Sequence, residues 1–514
     1  MTELDLAVQW QWMYAFGLWA LAAMAVWIGF FPKRLVHYPQ VVTWLLILYG
    51  ASEAVLGLCQ VYGFSASRHS LYALTGTFYN PGPYSGFLAL AFPLCLHECL
   101  KRRGGKKTIP YYISLLVLFA ILCVLPAGMS RSAWAAALLA SVYLCLVHFR
   151  SRAVEFIKRY GWLLLVAGVI GSAGLYRWKK DSADGRLFMW KIAAHAVSER
   201  PLSGYGWDKV PGAYGQAQEE YFASGRYTEV EEHVAGSPEY VFNEYLQVAL
   251  AWGIPVLVMC LLGVGGCLYV GHRHREYGLC GAWVSLLVFA FSSYPLQFPA
   301  FVAALFLLAS GCAWCSLPAW SRSVRAGMVM LLVAGCGACY RQYGVSHRRV
   351  EACREWRQCR MLYQSGAYAR AATCYSSLAE DMEWSARFLF EYGHALHKCH
   401  RAEESTEVLQ KALSVSSDPM ILNIIGKNEQ EQGRYESAEH WLLRSVHRLP
   451  GRIYPYFLLA NLYAESGFYN REKLERMVQT VLEKEPKVQS TAVRQMRQKA
   501  RELLPGKSQE KTKQ

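Results

Sequence analysis

Long apolar runs alternate with short polar segments through the first two thirds of the chain, and this alternation stops near residue 340. About 20 consecutive apolar residues suffice to cross a bilayer as an α-helix. The pattern therefore predicts an all-α protein in which a polytopic bundle of about ten membrane helices precedes a charged, water-soluble helical segment. The predicted spans are 12–31, 41–63, 84–99, 110–127, 132–149, 160–176, 241–271, 277–293, 297–316 and 325–340.

Two of the predicted spans have special features. The first follows Glu3 and Asp5 and has no basic segment before it, so we interpret it as a retained helix and not as a cleaved signal peptide. The seventh is longer than a bilayer requires, and a Gly-Ile-Pro sequence at 253–255 interrupts it. We expect a surface helix over 241–252 and a membrane helix that begins after this break.

Basic residues fall mainly on one side of the predicted bundle. The chain has a formal net charge of +15, and membrane proteins accumulate Lys and Arg in their cytoplasmic loops. The N-terminus, a long loop at about 177–240 and the C-terminal region then lie outside. Nucleic-acid binding is disfavoured, because the basic residues are scattered between apolar runs. On the predicted cytoplasmic side are Lys33, Arg34, Lys101, Arg102, Arg103, Lys106, Lys107, Arg150, Arg152, Lys158, Arg159, Arg273, Arg275, Arg322 and Arg325, whereas the short outer loops hold Arg68 and Arg131.

Residues 360–486 repeat a helical-hairpin pattern. Small residues recur at Gly393, Gly426 and Ala460, at intervals of 33 and 34 residues. A period near 34 with a small residue at the close helix contact is typical of tetratricopeptide repeats, which stack into a superhelix with a concave face. We favour a binding surface over a passive spacer. The predicted domains are 1–340 for the membrane domain, 341–502 for an α-solenoid of such repeats, and 503–514 for a polar, disordered tail.

Most of the sixteen cysteines lie in apolar runs, where cysteine behaves as a small core residue. The Cys-x-x-Cys pairs at 312–315 and 336–339 have redox or zinc spacing, but no matching His or Cys pair is near them in the sequence. Membrane packing is the favoured interpretation. With this orientation the cysteines at 353, 359, 374 and 399 lie in an oxidising compartment. A disulfide and thiols packed in a helical core are then two alternatives for them.

Two polar segments at predicted helix entrances are candidates for chemistry. The segment 76–86 (GTFYNPGPYSG) contains Asn80, and its Pro and Gly residues expose backbone groups that must be buried or line a wet cavity at a membrane boundary. Arg131 enters the fifth span, where an arginine that faces lipid is costly and usually faces a polar cavity instead. The alternatives are an ordinary interhelical turn and an arginine that snorkels to the interface.

Two further candidates belong to the long loop and its end. At 185–192 (GRLFMWKI) an amphipathic helix carries Arg186 and Lys191, two cations suited to binding a phosphate. A solvated charged face is the alternative. Asn243 and Glu244 lie just before the seventh span, where polar residues are functional or simply interfacial.

In order and spacing these segments resemble the O-antigen ligase superfamily, which includes O-antigen ligases, O-antigen polymerases and protein O-oligosaccharyltransferases. The resemblance covers about 40–316. The matching motifs are the GTF-x-NP turn at 76–81, Ser130-Arg131, Gly185-Arg186 with Trp190, PL-x-G-x-G at 201–206 and Asn243-x-x-Leu246. Each motif is weak alone, and their order and membrane context together are specific. A C-terminal tetratricopeptide extension also looks like many members of the group.

The resemblance implies an enzyme of the bacterial inner membrane that transfers a glycan from undecaprenyl diphosphate to an acceptor hydroxyl at the outer face. Arg131 and Arg186 match the family's arginine positions and would hold the diphosphate and stabilise the leaving group, with Lys191 as a further phosphate ligand. No cofactor and no metal ion are implied, because the arginines take the metal's place. The residues expected to support the site are Asn80, Trp190, Asn243 and His233.

The chain departs from the family at one position. Ligases of the group commonly carry His directly before the Asn of the last motif, where this chain has Phe242. Glu244 is the candidate base instead, since a carboxylate within hydrogen-bond reach accepts a proton from a hydroxyl. His233 is a second candidate base. A step that needs no strong base is a further explanation, and a loss of activity is the least favoured one.

The sequence leaves three acceptors as alternatives, namely lipid A core, a growing glycan and a Ser/Thr hydroxyl of a protein. The repeats favour a protein or a bulky polymer as the acceptor. An O-antigen polymerase is the alternative activity. A transporter or flippase of lipid-linked sugars is less well supported, because the membrane region has no internal duplication and few charges at mid-span. Ten spans also exceed what the anchor of a scaffold protein needs.

Overall fold

The computed structural model describes residues 3–30, 37–101, 108–151, 155–156, 158–163, 174, 177, 180–316, 321–487 and 489–504. This part of the chain is helical without strands, which confirms the predicted all-α class. The predicted span at 160–176 falls largely outside the described residues, as do the basic residues at 33–34, 102–107 and 152 and most of the predicted tail. In chain order the helices are α1 (Glu3–Phe30), α2 (Tyr38–Val61), α3 (Pro81–Lys101), α4 (Ile109–Val124), α5 (Arg131–His148), α6 (Lys180–Glu199), α7 (Val210–Ala223), α8 (Glu229–Val234), α9 (Glu244–Trp252), α10 (Ile254–Arg273), α11 (Tyr277–Ala290), α12 (Pro299–Ser316), α13 (Arg322–Gln364), α14 (Tyr368–Ser376), α15 (Ala386–Lys398), α16 (Ala402–Val415), α17 (Pro419–Glu431), α18 (Tyr435–Arg448), α19 (Ile453–Ala464), α20 (Arg471–Glu483) and α21 (Thr491–Glu502).

The chain forms two compact units. Unit 1 comprises Met1–Lys179, Phe242–Tyr245 and Val256–Val350, and unit 2 comprises Lys180–Val241, Leu246–Pro255 and Glu351–Gln514. Unit 1 therefore holds the apolar helices. The long loop belongs to the same unit as the C-terminal helical hairpins.

Six helices within the described residues are long and apolar enough to cross a membrane, namely α1, α2, α5, α10, α12 and α13. The apolar helices α4 and α11 are shorter, at 16 and 14 residues, and α3 covers the predicted third span. Helix α10 exposes large apolar side chains such as Met259 and Leu262, as expected of a helix that faces lipid. The chain is a polytopic helical membrane protein.

Small residues allow the helices of unit 1 to pack closely. A Cβ at Gly50 would lie 2.5 Å from the Cβ of Ala91, so α2 approaches α3 at a distance that only glycine permits. On the other side of α3, the Ser285 hydroxyl of α11 donates a 2.7 Å hydrogen bond to the Ala89 carbonyl. Helix α3, which follows the GTF-x-NP turn, is thereby fixed from two sides.

The structure confirms the break predicted at 253–255. Helix α9 ends at Trp252 and α10 begins at Ile254, and Gly253 between them has a φ of +86°. A Cβ at Gly253 would lie 2.3 Å from the Leu202 carbonyl oxygen. The Ile254 amide donates a 2.7 Å hydrogen bond to the Pro201 carbonyl. Glycine is therefore required both for the left-handed backbone and for the close approach.

The C-terminal helices of unit 2 form consecutive hairpins, α15 with α16, α17 with α18 and α19 with α20. A Cβ at Gly393 would lie 2.5 Å from Cγ of Leu409, and one at Gly426 would lie 2.8 Å from Cγ of Leu442. The two contacts are equivalent and 33 residues apart in the sequence. This confirms that the recurring small residues occupy the close contact between paired helices.

A disulfide joins Cys359 near the end of α13 to Cys374 in α14, with the two Cα atoms 5.7 Å apart. Cys353 and Cys399 are not part of a disulfide, and of the two Cys353 is buried and Cys399 half-buried. Of the four cysteines considered in the sequence, two therefore form a disulfide and two remain outside it.

Candidate active site

The GTF-x-NP turn is anchored by two buried polar side chains of α2. The Oε1 atom of Gln60 accepts hydrogen bonds from the amides of Thr75 and Gly76, at 2.9 and 2.8 Å. The carboxylate of Glu53 accepts hydrogen bonds from the amide and the hydroxyl of Thr77. The backbone groups that this turn exposes are thus satisfied inside the protein, as the location at a membrane boundary demands.

Three helices whose first residues lie in unit 1 open in the same way. A non-glycine residue with positive φ lies two positions before the first helical residue, and a short polar side chain between them accepts a hydrogen bond from a helical amide. The positive-φ residues are Tyr79 (59°), Met129 (49°) and Phe242 (54°), ahead of α3, α5 and α9. The accepting side chains are Asn80 (from Gly82, 2.8 Å), Ser130 (from Ala133, 3.4 Å) and Asn243 (from Tyr245, 3.1 Å).

The left-handed conformation is unfavourable for these side chains, by about 1 kcal/mol or more each. Among the described non-glycine residues, two others have positive φ, Arg275 and His400. Three of five such positions therefore precede the polar segments singled out from the sequence. Strain of this kind persists where the surrounding structure enforces it, which is frequently at functional sites.

Side-chain contacts join the entrances of α3 and α5. A Cβ at Gly128 would lie 2.0 Å from Oγ of Ser85, so the segment before α5 lies against the start of α3. Ser292, which follows α11, donates a 2.9 Å hydrogen bond to the hydroxyl of Ser132 in the first turn of α5. The entrances to α3 and α5 are therefore neighbours, and the segment after α11 contacts the second of them.

An aromatic row connects the third entrance to the same place. The Phe242 ring contacts Tyr294 with ring centroids 4.8 Å apart, Tyr294 contacts Phe298 at 5.8 Å, and Phe298 contacts Phe78 at 5.8 Å. Phe78 belongs to the GTF-x-NP turn. The aromatic row thus links the residue before Asn243 to the GTF-x-NP turn through unit 1.

Glu244 is the first residue of α9, and its side chain is 4% exposed. Neither carboxylate oxygen makes a hydrogen bond of standard geometry within the described part of the chain. Burial, which the backbone amide of Leu296 offsets only in part, raises the pKa of Glu244 to about 8. A buried carboxyl group with spare acceptor atoms and a pKa near neutrality is suited to proton transfer.

Arg131 is the first residue of α5 and is half-buried. The N-terminus of a helix carries partial positive charge and unpaired amides, which favour an anion. Arg131 at the start of α5 therefore lies where an anion is favoured, and Glu244 is the buried carboxyl group at the start of α9.

The other candidates lie in unit 2, so the structure divides the predicted site residues into two sets. Arg186 and Trp190 are half-buried on α6, and His233 is exposed near the end of α8. The Lys191 ammonium lies 2.7 Å from the Glu231 carboxylate and 2.7 Å from the Tyr221 hydroxyl. Its charge is thus already balanced by an acid of its own loop.

Glu231 is held ionised by this arrangement. Burial raises its pKa, but hydrogen bonds from Lys191, Thr228 and Tyr221 outweigh that effect and lower the pKa to about 2. A phosphate would have to compete with this carboxylate for Lys191. Lys191 is therefore a weaker candidate ligand than either arginine.

The PL-x-G-x-G motif packs the loop against α9. A Cβ at Gly204, where φ is +62°, would lie 2.6 Å from the carbonyl oxygens of Leu250 and Ala251. The amides of Tyr205 and Gly206 donate hydrogen bonds to those same two carbonyls, at 2.8 and 2.9 Å. The motif therefore holds the end of the long loop on the helix that begins with Glu244.

Sequence reasoning missed Glu53 and Gln60. Both are buried in α2, with 1% and 5% exposure, and they fix the turn that carries Asn80. The available signal was a carboxylate inside an apolar run, since an ionisable residue in a membrane helix usually has a function.

One group of potential metal ligands occurs in the described part of the chain. His195, Glu199 and Glu220 are exposed, and their ligand atoms lie within 4.8 Å of one another. Glu199 also accepts a 2.8 Å hydrogen bond from the Tyr205 hydroxyl, and Glu220 accepts a 3.0 Å hydrogen bond from Gln216. Exposed acidic groups of this kind are common without a metal, and we assign no ion to them.

The fold defines the class, a polytopic helical membrane protein in which positive-φ residues precede three helix entrances. Residues 115–261 match the family model for O-antigen ligase, which agrees with the resemblance of the motifs. The matched segment contains Arg131, Arg186, Asn243 and Glu244. No curated protein and no solved structure matches the chain.

Proposed function

We propose that this protein transfers a glycan from a polyprenyl diphosphate, such as undecaprenyl diphosphate, to an acceptor hydroxyl. The observation that carries the proposal is the buried Glu244 carboxyl at the start of α9, on a segment that the aromatic row links to the GTF-x-NP turn, next to the α5 entrance with Arg131. Helix N-termini and an arginine attract a diphosphate, and a buried carboxylate accepts a proton. These are the two functions that the reaction needs.

In the proposed reaction the acceptor oxygen forms a bond to the anomeric carbon of the donor sugar. The bond from that carbon to the diphosphate oxygen breaks, and the hydroxyl proton passes to Glu244. Arg131 and Arg186 bind the diphosphate and stabilise the negative charge that develops on it. Lys191 forms an ion pair with Glu231 and thereby stabilises the long loop. No metal ion enters this scheme.

Glu244 takes the part that the family's His plays at the position of Phe242. The Phe242 side chain is an aromatic ring packed on Tyr294, without a group that accepts a proton. The Glu244 carboxyl is two residues further on and has no partner of standard geometry in the described structure. This makes it the better candidate base than the exposed His233.

We further propose that the long loop and the helical hairpins face the periplasm of a bacterial inner membrane. The positive-inside distribution of Lys and Arg supports this orientation. The Cys359–Cys374 disulfide supports it independently, because disulfides persist in oxidising compartments. The spacing and contacts of the hairpins favour tetratricopeptide repeats.

The test is a glycan-stained gel of envelope fractions from cells that lack the gene and are complemented with wild type, Arg131→Ala or Arg226→Ala. Arg226 is exposed in unit 2 and serves as the matched control. We expect wild type and the control to restore a species that Arg131→Ala does not restore, while lipid-linked glycan accumulates. A lipid-bound ladder identifies a lipid A core acceptor, longer glycan chains a polymerase, and protein bands a protein acceptor. Donor glycan confined to the cytoplasmic face would refute transfer and favour a flippase.

A further inference from the structure

The long loop approaches the helical hairpins closely within unit 2. A Cβ at Gly212 would lie 2.2 Å from the Ser414 carbonyl oxygen, and one at Gly215 would lie 2.9 Å from Cα of Ser417. Both glycines belong to α7, and both serines lie at the junction between α16 and α17. A helix with larger residues at these two positions could not pack at this distance.

Ion pairs with α18 hold the C-terminal half of α7. The Glu219 carboxylate of α7 accepts hydrogen bonds from Arg444 Nε at 2.6 Å and from Arg448 Nη2 at 2.9 Å, both on α18. Arg448 is 2% exposed, and its carbonyl accepts a hydrogen bond from the Gln218 side chain. A buried arginine that loses its carboxylate partner is strongly destabilising, so this contact tolerates little displacement.

The loop beyond α7 is tied to the hairpins as well. Lys484 forms an ion pair with Glu232, and Lys487 donates a hydrogen bond to the Ala235 carbonyl. The Ser417 hydroxyl donates a 3.1 Å hydrogen bond to the carbonyl of Pro238. Contacts with the hairpins therefore continue along the loop from Gly212 to Pro238.

Helix α6, which carries Arg186, rests in turn on α7. The Phe188 ring packs on Phe222 with centroids 5.5 Å apart. The Lys191 ammonium donates a 2.7 Å hydrogen bond to the Tyr221 hydroxyl. A continuous set of contacts thus runs from Arg448 through α7 to the helix of Arg186.

We infer that the helical hairpins are an internal clamp that positions the Arg186 helix for the donor diphosphate, with Glu219 and Arg448 as positioning residues. The clamp uses the second helices of two hairpins, α16 and α18, and it needs no recruited partner. The inference rests on the proposed function, because it assigns Arg186 to the donor.

The test compares Glu219→Gln with Glu220→Gln in the full-length protein in lipid nanodiscs. Glu220 is the adjacent, exposed carboxylate of α7 and makes no contact with α18 that the structure records. Amide hydrogen exchange over 210–223 reports the clamp directly. Release of undecaprenyl diphosphate from lipid-linked glycan, with envelope fractions supplying the acceptor, reports the reaction.

For Glu219→Gln we expect amide exchange in α7 to be at least about tenfold faster and kcat/KM for the donor to fall about tenfold, with KM for the acceptor unchanged. Glu219→Asp should recover part of both, and Glu220→Gln should match wild type. Unchanged exchange overturns the clamp. Faster exchange with unchanged donor kinetics overturns the positioning role. A wild-type protein that transfers no glycan overturns that role together with the proposed function, and the exchange data still decide on the clamp.

Discussion

Replacing Glu244 by Gln should stabilise the protein and strongly lower its activity. The folded protein keeps the Glu244 proton up to about pH 8, whereas the unfolded chain loses it near the ordinary value of 4.5. The cost of burying this group is therefore absent below pH 4.5 and grows as the pH rises to 8. It reaches about 5 kcal/mol, from about 1.4 kcal/mol for each pH unit. The N-terminus of α9 favours the carboxylate by about 1 kcal/mol, so this is an upper figure.

Glutamine has nearly the same shape and no ionisable group, so Glu244→Gln removes this cost. We expect the apparent Tm in nanodiscs to rise by roughly 5–10 °C at pH 8 and to match wild type near pH 4.5. Transfer should fall by about two orders of magnitude or more, because the variant has no base. In wild type the rate should increase with pH up to an apparent pKa near 8, since only the ionised carboxylate accepts a proton.

The matched control is Glu239→Gln, an exposed carboxylate five residues earlier. Its Tm and its transfer rate should follow wild type at every pH. An equal Tm in wild type and Glu244→Gln at pH 8 would refute the burial argument. An undiminished transfer rate in Glu244→Gln would remove this residue from the mechanism.

Four further outcomes follow from the structure. Arg131→Ala and Arg186→Ala should each lower transfer in membrane vesicles by about 10²-fold, and wild-type rates in both would refute their assignment to the donor. Gly393→Ala should destabilise the hairpins by about 1–3 kcal/mol in chemical unfolding, whereas Gly236→Ala, where a Cβ meets nothing within 4 Å, should be neutral. Chelation with EDTA should leave transfer unchanged; a loss that His195→Ala reproduces would contradict a metal-independent reaction. A C-terminal alkaline phosphatase fusion should be active, and an inactive one would place the hairpins in the cytoplasm.

Features set by local pattern were predictable from the sequence. The break before α10 follows from Gly253, and the close contacts of the hairpins follow from the small residues at 393 and 426, because in each case one residue's size or backbone freedom decides the outcome. The grouping of the long loop with the hairpins was not predictable. It depends on Glu219 meeting Arg448, two residues 229 positions apart, and no local period records such a pair.

The candidate site shows the same contrast between features that local sequence predicts and features that only the tertiary structure reveals. The polar residues Asn80, Arg131 and Glu244 were visible because they interrupt apolar runs. Their common construction was not visible, since Tyr79 and Phe242 are side chains that ordinarily avoid positive φ, and nothing in the sequence marks them as left-handed. Local preference and tertiary structure disagree at these residues, and such disagreement is expected at functional sites.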